Sequence, residues 1–122
     1  GAGGTVADGS VIGCPCLIDP TGKAGAASKK FADAYKAKFN TDPAVYAAEG
    51  YDAATAFIEA IKTGAITPDK INAALATVDA GGVSKQVKFG PDGEPTAADV
   101  YVYQIEGATL PLLGKAAEAT LG

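Results

Sequence analysis

The sequence of 122 residues contains no histidine, no tryptophan and no methionine. Histidine is the commonest general base near neutral pH and the commonest metal ligand, so its absence excludes most hydrolase triads and argues against a metal site. The glycine-rich GxGxxG and Walker patterns that hold nucleotide phosphates do not occur either. We therefore expect a binding protein rather than an enzyme, with no catalytic residue, no bound metal and no cofactor.

The sequence also has no cluster of positive charge and no long apolar run. The formal net charge is −4 and the isoelectric point is about 4.6, with the lysines scattered among acidic residues. Nucleic acid is therefore an unfavourable partner, because its recognition depends on clustered basic side chains. No apolar stretch approaches the roughly 20 residues of a membrane span. The first ten residues lack the charged and apolar regions of a signal peptide, which predicts a cytoplasmic protein or the mature form of a secreted one.

The longest segment with a single clear period runs from Tyr46 to Gly64. Its apolar side chains recur at steps of three and four residues, which predicts an α-helix with one buried stripe. Gly64 predicts a left-handed cap at the end of this helix, whereas Gly50 predicts close packing or a local break. With the flanking helices, the pattern predicts a core made of the large side chains Phe31, Tyr35, Phe39, Tyr51, Phe57, Ile58, Ile61, Ile71 and Leu75.

Local signals predict the other elements in order. They are a buried strand from Ser10 to Cys16, a helix from Lys29 to Phe39 capped by Ser28, a helix opened by Thr67-Pro68-Asp69 and extending through Val78, a strand from Gln86 to Phe89, a turn at 90–93 and a strand from Asp99 to Ile105. Residues 110–122 are predicted to form an apolar loop and an Ala-rich tail. One strand, three helices and two strands in this order predict an α/β fold.

Two cysteines, Cys14 and Cys16, flank Pro15. On a regular strand their side chains would share a face roughly 6.5–7 Å apart. A disulfide between them would need a distorted backbone, because its Cβ atoms must approach to about 3.8 Å. We interpret them as two buried small side chains, with a bridge to a part of the protein outside this chain as the alternative.

These elements, taken together, resemble one protein family over about Ala7 to Gly107. The chain resembles the C-terminal third of the type I solute-binding proteins of ABC transporters, in the group that binds leucine, isoleucine and valine. The matching motifs are Ala7-Asp8-Gly9 before the first strand, the helix Phe31–Phe39, Tyr46-Ala47 followed by Gly50-Tyr51-Asp52-Ala53-Ala54, Thr67-Pro68 with Ile71 and Leu75, Val87-Lys88-Phe89 with Asp92-Gly93, and the strand Val100–Ile105.

The resemblance implies a fragment of a two-lobed type I periplasmic binding protein fold, in which a hinge closes the lobes around a ligand. Residues 1–16 would supply a strand of the second lobe, 17–20 a hinge crossing, 21–89 the helices and strand of the first lobe, 90–99 another crossing, and 100–122 a second-lobe strand and tail. The strand Val100–Ile105 would have both edges open unless another chain covered them. The missing N-terminal part, or a second copy, is therefore an expected partner.

The resemblance also implies a function and two site residues. The function is capture of an amino acid or a similar small polar molecule outside the cytoplasm, in the periplasm or extracellular space, for the membrane subunits of an ABC transporter. A lipid anchor would be attached through the missing N-terminus. Tyr46 and Glu49 would face the ligand cleft, where the carboxylate favours a ligand with a distal cationic or hydroxyl group. The alternative for Glu49 is a solvated first-turn carboxylate, and Asp52 is interpreted as a local cap or a helix-start contact.

A different class of function remains open beside this one. The chain could be a stand-alone or self-exchanging structural α/β module that binds no ligand.

Overall fold

The computed structural model describes residues 4–119, and within them the chain forms an α/β arrangement of five strands and three α-helices. In order, the elements are a short 3-10 helix Gly4–Ala7, β1 Val11–Cys14, α1 Ala26–Phe39, α2 Ala47–Lys62, α3 Pro68–Leu75, β2 Asp79–Gly81, β3 Gln86–Lys88, β4 Tyr101–Gln104 and β5 Leu112–Lys115. The predicted class and three helices are confirmed. Two strands, β2 and β5, were not predicted. No helix in the described part of the chain is long and apolar enough to cross a membrane.

The larger sheet has the order β1-β4-β5, with β4 antiparallel to both neighbours. The prediction that β4 would have two open edges was therefore wrong, because β1 covers one edge and β5 covers the other. The strand β5 lies in the region predicted to be an apolar loop. Its short Leu-Leu-Gly-Lys sequence has no alternating pattern, so only the pairing with β4 identifies it as a strand.

The face of β4 that carries Tyr101 and Tyr103 forms the centre of the main core. Tyr103 is fully buried and Tyr101 is 2% exposed. They pack with Leu17 and Ala48, so this core joins the sheet to the segment after β1 and to the first turn of α2. In contrast, β1 is an edge strand whose Val11 and Ile12 are exposed, and the prediction of a buried strand was wrong. A β-branched run predicts strand conformation, but burial depends on what covers its faces.

A smaller core lies under the two-stranded sheet. The strands β2 and β3 pair antiparallel, and their contact with α2 buries Ala56, Val78 and Val87. The predicted helix through Val78 was therefore too long, because α3 ends at Leu75. Its start is as predicted, with Thr67 in an extended conformation and Pro68 in the first turn.

The central helix α2 was predicted in the right place but with the wrong face buried. Its buried residues are Ala48, Asp52, Ala56 and Ala60, which recur every four residues. The large side chains Tyr51, Phe57, Ile58 and Ile61, and also Phe39 of α1, are about half exposed. The buried stripe consists of small residues and one carboxylate, so the apolar periodicity of α2 pointed to the opposite stripe. The small stripe allows the neighbouring backbone to approach closely.

Helix ends are partly as predicted. Gly64 has a φ of 88°, which is the left-handed conformation expected after α2, and no break occurs at Gly50. Ser28 is not the cap of α1, since the helix begins at Ala26 and its cap residue is Gly25. Instead the buried Ser28 hydroxyl donates to the Asp19 carboxylate at 2.7 Å.

Cys14 and Cys16 form a disulfide, with their Cα atoms 5.1 Å apart. The interpretation of two buried, unbridged side chains was therefore wrong, and so was the alternative of a bridge to a part of the protein outside this chain. The distance argument assumed that the strand continues through both residues. However, β1 ends at Cys14, and the chain bends at Pro15 and Cys16, which brings the two side chains together.

Candidate functional site

The N-terminal end of α2 carries both predicted site residues, Tyr46 and Glu49. Tyr46 is the residue before the helix and has a φ of 65° and a ψ of 8°. This left-handed conformation is uncommon for a bulky side chain and costs on the order of 1–2 kcal/mol. Tyr46 is also 56% exposed, so burial of its ring within this chain does not offset that cost. An exposed aromatic residue held in a strained conformation is typical of a functional position.

Glu49 lies one turn further along α2 and points inward. Its Oε1 accepts a hydrogen bond from the backbone N–H of Leu17 at 2.7 Å. Its Oε2 is buried and has no hydrogen-bond partner within residues 4–119. The interpretation as a solvated first-turn carboxylate was therefore wrong. Glu49 connects α2 to the segment that follows β1, and one of its oxygens retains unused accepting capacity.

The segment that Glu49 contacts is also held by β4. The Tyr103 hydroxyl accepts from the N–H of Ile18 and donates to the carbonyl of Cys16, both at 2.8 Å. Sequence reasoning placed Tyr103 on a strand but did not assign it this role. A signal did exist, because the alternation of β4 puts Tyr101 and Tyr103 on the same face.

Asp19 organises the next few residues. Its carboxylate accepts from the N–H groups of Lys23 and Ala24 at 2.9 and 2.8 Å and from the hydroxyls of Thr21 and Ser28 at 3.1 and 2.7 Å. Burial alone would raise the pKa of Asp19. The hydrogen bonds from Ser28, Ala24, Lys23 and Thr21 outweigh burial and lower the pKa below its ordinary value. The residues after β1 are therefore joined to α1 by an ionised carboxylate.

Asp52 forms a second connection, three residues after Glu49. Its Oδ1 accepts from the N–H of Val83 at 2.6 Å, and its Oδ2 accepts from the N–H and hydroxyl of Ser84 at 2.8 and 2.7 Å. Gly82 lies so close that a Cβ there would be 2.7 Å from the Asp52 Cγ. The sequence-based interpretation of Asp52 as a local cap or helix-start contact was therefore wrong. Asp52 fastens the turn between β2 and β3 to α2.

Tyr101 links the larger sheet to the turn that Asp52 holds. Its hydroxyl donates to the carbonyl of Ser84. Burial, followed by the negative charges of Asp99, Glu49 and other neighbours, raises the pKa of Tyr101 to about 12. The hydroxyl therefore stays protonated and remains a donor throughout the physiological pH range.

A cleft of about 190 Å³ lies between α2 and β3. Glu49 and Asp52 line it from the helix, and Ser84, Val87 and Phe89 line it from the opposite side. Ligand pockets for small molecules usually enclose about 300–1,000 Å³. The volume of this cleft lies below that range. In the described residues no group of three or more His, Cys, Asp or Glu side chains is arranged to hold a metal ion.

A family model described as a periplasmic binding protein matches residues 1–109. Solved structures of the same kind also match. A leucine-binding protein from Thermotoga maritima is 25% identical, with a TM-score of 0.73 over 90% of this chain and 31% of that one. The substrate-binding protein of a branched-chain amino acid transporter from Streptococcus pneumoniae, solved with isoleucine, is 28% identical, with a TM-score of 0.68 over 86% of this chain and 30% of that one.

A third structure supports the fold alone. The solute-binding protein of an ABC transporter from R. palustris, solved with benzoate, is 23% identical and has a TM-score of 0.75. It covers 99% of this chain, whereas this chain covers 33% of it. The chain therefore spans about a third of the length of each of these structures.

Proposed function

Since this chain belongs to the periplasmic binding protein family, we propose that it is part of a solute-binding protein that captures an amino acid or a similar small polar molecule for an ABC transporter. The observation that carries the proposal is the exposed, left-handed Tyr46 at the start of α2. Strained backbone conformations of this kind are concentrated at active sites and ligand-binding positions. In this protein the strained Tyr46 presents an aromatic ring to the ligand.

The second ligand-facing residue is Glu49. It is placed at the same end of α2, and its buried Oε2 has no partner among the described residues. A buried carboxylate oxygen without a donor costs free energy, so a ligand or water that donates to it would be favoured. The ligand would therefore carry a distal hydroxyl, amide or ammonium group, rather than a purely aliphatic side chain.

The segments 17–20 and 90–99 would be crossings between two lobes, with residues 21–89 in one lobe and the strands at either end of the chain in the other. Hinge closure about these crossings would bring the lobes together around the ligand. Glu49 lines the cleft beside α2 and Tyr46 does not, so a second lobe would have to supply the wall that brings both residues to one ligand.

The disulfide supports a location outside the cytoplasm. Such bonds persist in the periplasm and extracellular space, and are reduced in most cytosolic proteins. The expected partners are the membrane subunits of the transporter, which would receive the ligand from the closed form.

The proposal is tested by calorimetry on the protein encoded by the full gene, with leucine, isoleucine, valine, serine, glutamine and lysine as ligands. Tyr46→Ala should weaken binding of the preferred ligand by about 10-fold or more, because a stacked or packed aromatic contact is lost. Tyr35→Ala, which removes a ring of the same size from α1, should leave affinity within about twofold. Equal affinities for the two variants would contradict the placement of Tyr46 at the ligand.

The role of Glu49 is tested by Glu49→Leu in the same protein. Loss of a charged hydrogen bond is worth roughly 1–3 kcal/mol, so the preference should move toward aliphatic amino acids by about 5- to 150-fold. Glu49→Gln, which keeps an accepting oxygen, should shift the ranking less. An unchanged ranking in both variants would show that the ligand does not contact Glu49.

A further inference from the structure

The disulfide lies where β1 ends and the segment held by Glu49 and Tyr103 begins. We propose that the Cys14–Cys16 disulfide is a redox-controlled brace. When it is closed, it holds the N–H groups of Leu17 and Ile18 against Glu49 and Tyr103. When a small dithiol reduces it, those two contacts open while the rest of the fold remains.

The two ends of the three-residue ring are anchored to different parts of β4. Cys14 is the last residue of β1 and lies opposite Tyr101 in the antiparallel pair. Cys16 is 1% exposed, and its carbonyl accepts from the Tyr103 hydroxyl. The disulfide therefore sets the direction in which the chain leaves the strand. The next two amides, of Leu17 and Ile18, are the ones that bond to Glu49 and Tyr103.

These amides have no support from regular secondary structure. Leu17 and Ile18 lie outside the helices and strands, and their N–H groups bond to side chains 32 and 85 positions away. Each contact is a single hydrogen bond, and the net contribution of such a bond is modest. A change in the chain direction at Cys16 would therefore act directly on these two bonds.

Cys14 is the more accessible of the two cysteines. Cys14 is partly exposed, whereas Cys16 is buried. A thiolate of the dithiol would attack the Cys14 sulfur, form a mixed disulfide and release the Cys16 thiolate, which takes a proton. The second thiol of the reagent then displaces Cys14 and closes its own disulfide. The protein gains two electrons and two protons, and the dithiol loses the same.

The effect of reduction should be local. A cross-link that closes so short a loop removes little entropy from the unfolded chain, so it contributes less to global stability than a long-range disulfide. The pairing of β4 with β1 and β5 does not involve the sulfur atoms.

The same chain contains an internal control for the effect of reduction. The amides of Val83 and Ser84 are also held by a carboxylate of α2, that of Asp52, but no disulfide lies beside them.

The test is amide hydrogen exchange measured residue by residue by NMR, on the oxidised chain and on the chain kept in excess dithiothreitol. Alkylation and intact mass confirm that both thiols are free in the second sample. Exchange at Leu17 and Ile18 should accelerate by about 10-fold or more on reduction, whereas Val83 and Ser84 should stay within about twofold. The double variant Cys14→Ser/Cys16→Ser should reproduce the reduced pattern without any reductant.

Two results would overturn the proposal. Unchanged exchange at Leu17 and Ile18 in the reduced chain would show that the disulfide does not hold them. Uniform acceleration at all four amides would show a general stabiliser instead of a local brace. The reduced wild-type chain gives the answer even if the double variant fails to fold. No ligand enters the experiment, so its outcome is independent of the proposed transport function.

Discussion

The two faces of α2 differ in how deeply they are buried. One face consists of small residues and a carboxylate, Ala48, Asp52, Ala56 and Ala60, and it is buried. The other carries Tyr51, Phe57, Ile58 and Ile61, and it is about half exposed. Hydropathy would bury the larger side chains. The comparison shows that in this chain the available hydrogen-bond partners and close backbone approach decide which face is covered.

The buried face contacts the rest of the chain through Asp52 and the alanines around it. Three donors of the β2–β3 turn reach the Asp52 carboxylate, and an alanine at position 56 leaves room for β3 to approach. On the exposed face Tyr51 packs against the Phe31 ring of α1, with the ring centroids 5.3 Å apart, but Phe57, Ile58 and Ile61 remain about half exposed. A contiguous apolar surface of this kind is usual where a protein meets another surface.

The largest expected effect comes from removing the carboxylate of the buried face. Asp52→Ala leaves the N–H groups of Val83 and Ser84 without acceptors, so it should lower the free energy of unfolding by about 3 kcal/mol. Asp33→Ala is the matched control, since it removes an exposed carboxylate paired with Lys29 on α1. Its effect should be under about 0.5 kcal/mol. Urea unfolding measures both, and equal losses would contradict the special role of Asp52.

Changes of side-chain size on the two faces of α2 should have smaller effects on the free energy of unfolding. The buried alanine face should be the more sensitive one, which is the reverse of what hydropathy predicts. Ala56→Leu places three extra carbons in a 2% exposed site and should cost about 1–3 kcal/mol. Ile58→Ala should cost under about 1 kcal/mol, because its side chain is 52% exposed and leaves no closed cavity. A fully packed Ile58 would instead cost about 2–5 kcal/mol, and a value in that range would show that the faces were assigned wrongly.

The hydrogen bonds of Asp19, which join the residues after β1 to α1, are tested by the pH dependence of stability. The pKa of Asp19 is lower in the folded chain than in the unfolded chain, so its contribution is fully present above the unfolded value of about 3.9. That contribution is lost as the pH falls through the lower, folded pKa. Urea unfolding between about pH 5 and pH 2 should therefore show a steeper loss of stability in the wild type than in Asp19→Asn. Parallel curves would contradict the assigned network.

The smallest effect is expected at the start of α2. Tyr46→Gly relieves a left-handed conformation but adds freedom to the unfolded chain, so stability should change by less than about 1 kcal/mol. Tyr35→Gly, in the interior of α1, should destabilise by about 1 kcal/mol or more. Thermal unfolding compares the two. A large loss for Tyr46→Gly would show that the ring packs within this chain and is not free to meet a ligand.

Local chemistry was sufficient to predict much of the fold. The periodicity of residues 46–64 identified α2, Thr67-Pro68 identified the start of α3, and the left-handed Gly64 was expected from its position. These features depend on interactions within a few residues, so they are visible in the sequence. The family resemblance likewise agreed with the match to the periplasmic binding protein model. Tyr46 and Glu49 remain predicted ligand contacts, and the assignment of segments to two lobes remains a prediction.

Contacts between distant residues decided the rest. No local pattern indicates that Glu49 bonds to Leu17, that Asp52 bonds to Val83, or that the bend at Pro15 closes the disulfide. The burial of the alanine face has the same origin. Hydropathy favours burial of the larger side chains of α2, whereas the hydrogen bonds to Asp52 and Glu49 hold the alanine face against the rest of the chain. Those partners become neighbours only after the chain has folded, which is why the sequence determined the position of α2 and the tertiary structure determined its orientation.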